Sequence, residues 1–83
     1  MVYGKLLHID QNDNLCAVLE DDSSYCIFKV LETSGLEIGD IILAVSDIGS
    51  IFIENKAKKT FHQAEIVYRN LSFKKLSGLM KIN

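Results

Sequence analysis

Four side chains in this sequence are soft enough to hold a transition metal or to form a nucleophile–base pair: His8, Cys16, Cys26 and His62. None of their spacings is CxxC or HxxxH, so no metal site is expected. His8 and Cys16 fall on neighbouring strands, but nucleophilic catalysis also needs an orienting third group and a thiol of lowered pKa. The loop beside them, Asp10-Gln11-Asn12-Asp13-Asn14, is acidic and disfavours a thiolate. That loop lacks the sixth-position glycine and distal glutamate of a calcium loop, and strands flank it. Its Asx side chains bond their own backbone and make it a turn. Gly35, Gly39, Gly49 and Gly78 fit neither GxGxxG nor a phosphate-binding GxxxxGK[ST] loop. Arg69 is the sole arginine for bidentate anion recognition. No cofactor and no enzymatic activity are expected.

The charged residues point elsewhere. Residues 1–54 hold two lysines against ten carboxylates, a formal −8, and residues 55–83 hold seven basic residues against Glu65 alone, a formal +6. One consequence is charge complementarity inside a small fold. The other is a basic stripe that meets an anionic partner while the acidic part keeps the protein soluble.

The elements that must position these groups are mostly strands. Residues 2–9, 15–20, 25–31, 41–45, 51–54 and 60–69 are rich in apolar and β-branched residues and are separated by Asx-, Ser- and Gly-bearing turns. Pairing Glu20 with Tyr25 puts Leu15, Ala17, Leu19, Cys26, Phe28 and Val30 on a core face. Cys16, Val18, Glu20, Tyr25, Ile27 and Lys29 are then left outside. That register separates the two cysteines and opposes a disulfide. Ala17, Leu19, Phe28, Val30, Leu43 and Ile66 are expected in one core. In residues 70–83, Phe73, Leu76 and Met80 fall at i, i+3 and i+7. They make either a short amphipathic helix capped by Ser72 or a frayed basic tail.

Eighty-three residues, 48% hydrophobic and 24% charged, suit one domain with one core. The longest apolar run, residues 41–45, is far too short to span a membrane. The first residues show no charged leader followed by an apolar stretch, so a cytoplasmic location is expected. The strand pattern reads as a small all-β barrel over residues 1–69 followed by the segment 70–83.

Within that barrel, Gly4-Lys5-Leu6-Leu7-His8-Ile9-Asp10 resembles the opening strand of the cold-shock-type OB-fold family. The hairpin of residues 14–30 sits where that family carries its two RNA-binding motifs. Leu36-Glu37-Ile38-Gly39-Asp40 resembles the entry to its fourth strand, and Gln63-Ala64-Glu65-Ile66-Val67 its last strand. The resemblance covers residues 2–69 and implies a five-stranded barrel that stacks single-stranded nucleic acid on exposed aromatics. Here His8 stands at the family's tryptophan, Cys16 and Val18 at its first two phenylalanines, and Ile27 and Lys29 at its later Phe and His. Each lost base–aromatic stack removes about 1–3 kcal/mol of affinity.

Two function classes follow. The first is a non-catalytic protein-interaction module, self-associating or binding a partner protein through an apolar outer face made of Cys16, Val18, Tyr25, Ile27 and Phe52, with Ile42 and Ala44 extending it. In that reading the alternative fate of the face is cover by Phe73, Leu76 and Met80 of the same chain. The second is single-stranded RNA or DNA binding through Lys5, His8, Tyr25 and Lys29, with Lys56, Lys58, Lys59 and His62 alongside.

Overall fold

The computed structural model describes residues 2–47 and 50–81, with side chains described for residues 3–43 and 52–81. Six strands form: β1 (Val2–Asp10), β2 (Leu15–Glu20), β3 (Tyr25–Val30), β4 (Ile41–Asp47), β5 (Ser50–Asn55) and β6 (Thr60–Leu71). One helix follows, α1 (Phe73–Met80). The strands close into an antiparallel barrel in the order β1-β2-β3-β6-β5-β4, with β4 returning to β1. The barrel thus has six strands rather than five, because each of the six apolar segments finds a partner on both sides. Part of the turn expected at residues 46–50, and the side chain of Ala44, lie outside the described residues.

The turns are set by side chains. Asp10 Oδ1 accepts from the Asn12 and Asp13 N–H groups, and Asn14 closes that loop at φ 55°. The β5–β6 turn repeats the device: Asn55 Oδ1 accepts from Ala57 and Lys58, and Lys59 closes it at φ 56°. Between β2 and β3, Ser24 N–H donates to Asp22 Oδ1 at 3.0 Å and Ser23 takes φ 70°. This left-handed residue ends a three-residue loop closed by the Glu20 N–H on the Ser24 carbonyl at 2.8 Å.

That loop corrects the expected hairpin register. Leu19, not Glu20, pairs with Tyr25, and Cys16 pairs with Phe28. A slip of one residue exchanges the faces of one strand. Cys16 and Val18 therefore point into the barrel with Cys26 and Phe28, both cysteines sharing the interior. Alternation alone could not select this register, because both faces of the hairpin are apolar.

The barrel interior is filled by Leu6, Val18, Phe28, Ile42 and Ile53, with Leu36 of the 31–40 connection plugging one end. Val30 lies in this core and Ile66 packs against it. Leu19 and Leu43 are half-buried, and Ala17 belongs to a second cluster outside the barrel. At Gly4, β1 runs so close to β2 that a Cβ would collide with the Leu19 carbonyl oxygen. Glycine alone fits there.

The second cluster explains the tail. Ser72 caps α1, its Oγ accepting from Lys75 N–H at 3.3 Å. Leu76 and Met80 pack on Ala17 and Ile27, with Leu15, Tyr25 and Leu71 around them. The Phe73 ring meets Tyr25 edge-on at 5.7 Å. An eight-residue helix is unstable alone, so this apolar docking holds it.

Candidate interaction surface

Charged clusters close both ends of the barrel. At one end Glu20, buried among apolar residues, accepts from Arg69 Nη2 at 3.0 Å. At the other, Asp40 Oδ2 accepts from Glu37 N–H at 2.9 Å and from the buried Asn55 Nδ2 at 2.6 Å. Lys58 Nζ lies 3.5 Å from the same oxygen, 2.9 Å from Glu37 Oε1 and 3.0 Å from the Gly35 carbonyl. Burial pushes the Asp40 carboxyl up, but its hydrogen bonds and the Lys58 charge outweigh this and hold it below the usual value. The Glu37 hydrogen bond, with Asp40 beside it, raises Lys58. These ties fasten the 31–40 connection to the β5–β6 turn.

The eight residues read as a nucleic-acid surface divide into two groups. Row by row across the outer face of β1, β2 and β3, Lys5 lies opposite Leu19 and Tyr25, His8 opposite Ala17 and Ile27, and Lys29 opposite Leu15. Helix α1 covers Ala17 and Ile27 at the centre of this face and meets Tyr25, while Lys5, His8 and Lys29 lie on the same face. Lys56, Lys58, Lys59 and His62 lie at the β5–β6 turn. Lys56 pairs with Glu54 at 3.6 Å, and Lys58 serves the end cluster. His62 shares its side of β6 with buried Ala64 and sits 3.1 Å from Thr60 Oγ1. Glu37 and Asp40 reach Lys58 from a distant part of the chain.

The apolar outer face is corrected in the same way. Cys16 and Val18 are inside the barrel, and Ile27 is buried beneath α1. Ile42 is interior as well. Tyr25 borders the helix, half-buried. Phe52 alone of that set is well exposed, at 54%. It lies on the opposite outer face, where Tyr3 is opposite Leu43, Leu43 opposite Glu54, and Glu54 opposite Phe61. Phe61 is 70% exposed and Tyr3 46%. Phe52 pairs with Gln63, which puts it diagonal to Phe61. Sequence reasoning missed Phe61 and Tyr3. The signal for Phe61 is its phase: in the alternating strand it falls with Gln63 and Glu65, an aromatic ring on the polar side.

Neither thiol is activated. Burial pushes Cys16 up to about 11 and Cys26, beside Glu20, up to about 12. Among the described residues no group of three or more His, Cys, Asp or Glu side chains could hold a metal ion, and no helix is long and apolar enough to cross a membrane.

No family model matches the chain, and no curated protein or solved structure matches it. The architecture itself stands: a closed antiparallel β-barrel with a short C-terminal helix.

Proposed function

We propose that this protein is a non-catalytic interaction module that associates with a second copy of itself through the outer face of β4, β5 and β6. The exposed pair Phe52 and Phe61 carries this reading. The chain covers one apolar outer face with its own helix and leaves these rings open to water. A closed barrel offers no free strand edge, so a partner must meet side chains rather than add a strand. Aromatic rings bury about 150–250 Å² each, so three rings half exposed offer on the order of 300 Å². A stable complex covers about 800 Å² per partner. The association is therefore weak and concentration-dependent. Sedimentation velocity from micromolar to millimolar concentration tests it. Wild type should shift toward dimer, and Phe52→Ser with Phe61→Ser should stay monomeric. A wild type that is monomeric throughout sinks the reading.

A second reading is supported by Lys59, which closes the turn next to Phe61 and has no ion pair among the described residues. A cation beside open rings suits a single strand, and this would be a divergent cold-shock-like barrel that has moved its stacking rings from the β1–β3 face to β5 and β6. Labelled oligonucleotides at two salt concentrations decide. Phosphate contacts weaken steeply as salt rises, whereas ring-on-ring dimerisation does not.

A further inference from the structure

We propose that the outer surface of α1 docks an acidic peptide segment bearing an apolar side chain, a site separate from the Phe52–Phe61 face. Ser72, Lys74, Lys75, Gly78 and Leu79 line an open groove of about 450 Å³ on the helix. Its lining is mainly apolar and its charged groups are both cationic.

Charge complementarity identifies the occupant. No Asp or Glu side chain follows Glu65 in the given sequence, and Lys74, Lys75 and Lys81 all lie on or just after α1. Among the described residues none of these three is in an ion pair, whereas Lys56, Lys58 and Arg69 are each held by a carboxylate of their own chain. Among the described residues, the intramolecular neutralisation that works at both barrel ends is missing at the helix.

Gly78 supplies the shape. A glycine inside a helix weakens it relative to alanine. A Cβ at Gly78 would meet nothing within 4 Å, so the fold does not require glycine there. Its absence of side chain keeps the groove open beside Leu79, which is 43% exposed. An apolar side chain of the partner enters that space while flanking carboxylates meet Lys74 and Lys75. The groove itself presents no ring for a base to stack on, because Phe73 is not among its lining residues, and this favours a peptide over a nucleic acid.

The probe is a labelled twelve-residue peptide of alternating leucine and glutamate, with a lysine-for-glutamate peptide as control, followed by fluorescence anisotropy at low salt. The acidic peptide should bind and the basic one should not. Lys74→Glu with Lys75→Glu should weaken binding at least tenfold. Gly78→Leu, which fills the groove and is a better helix former than glycine, should weaken binding by a similar factor while melting no lower than wild type. Phe61→Ser should leave it unaltered, so failure here is distinguishable from failure of the dimer. Absence of binding at low salt, equal binding by all variants, or tighter binding to a dT oligonucleotide or to phosphatidylserine vesicles overturns the proposal.

Discussion

The two outer faces of the barrel begin from similar material and end differently. On the β1–β2–β3 face, Ala17 and Ile27 are sealed beneath Leu76 and Met80 of α1. On the β4–β5–β6 face, Phe52 and Phe61 stay largely exposed. Both faces put apolar side chains outside a closed barrel, where a single face toward water is the norm for antiparallel sheets. Apolar exterior residues are thus of two kinds, and only the second is available to a partner. The kind is decided by a helix that lies at the far end of the sequence.

The largest expected effect tests the covered face. Ile27→Glu places a carboxylate beneath α1 with no cation built to meet it. A buried unpaired charge is among the few changes that cost more than about 4 kcal/mol, and total stability for a domain is about 5–15 kcal/mol. Urea denaturation should show a largely unfolded protein, or one whose helix has left the barrel. A loss below about 1 kcal/mol would mean that α1 does not seal this face.

Leu76→Ala asks how the seal is made. Truncating a buried leucine costs about 2–5 kcal/mol. Here the loss should be local, because only Ser72 separates β6 from α1 and the helix has little stability of its own. Hydrogen exchange should accelerate across residues 73–80 while the strands stay protected. Uniform acceleration through the barrel would show that helix and barrel unfold as one unit.

Much of this comparison was legible in the sequence, and its failures have particular causes. Apolar runs and Asx turns mark the six strand segments, although the resemblance implies five strands, and the sequence leaves residues 70–83 open between a Ser72-capped helix and a frayed tail. The expected hairpin register rests on one face being wet, whereas both faces of this hairpin are covered, one by the barrel interior and one by α1. Leu15, Ala17 and Ile27 are apolar for the sake of α1, and Glu20 is carried inside because Arg69, far along the chain, meets it. Lys58, expected beside a nucleic-acid strand, is engaged instead by Glu37 and Asp40, which lie in another connection. Local pattern fixes elements; pairings between distant residues decide which side of each element faces water.

The Asp40 cluster gives a pH test at the end of the barrel that both faces share. Its folded-state pKa is lowered from 3.8. A lowered carboxylate contributes stability above its unfolded pKa and loses it as pH falls through the folded one. The 31–40 connection should therefore stay fastened through mild acid and loosen only below about pH 4, with amide exchange at Leu36 and Gly39 as the readout. Asp40→Asn should remove that acid step. Persistence of the step in the variant would assign it to other carboxylates.

The smallest effect on stability belongs to the bare face, and its smallness is the informative part. Phe52→Ser with Phe61→Ser removes rings that face solvent, and surface substitutions of this kind usually change stability by no more than about 0.5 kcal/mol. Measured at low micromolar concentration, where association is negligible, the double variant should melt with wild type. At high concentration wild type should gain apparent stability by mass action, and the variant should gain none. That gain should survive added salt, since apolar contact lacks the screening that weakens exposed charge pairs. A double variant that is strongly destabilised even when dilute would show that the two rings support the barrel itself. The two outer faces would then differ in exposure alone and not in purpose.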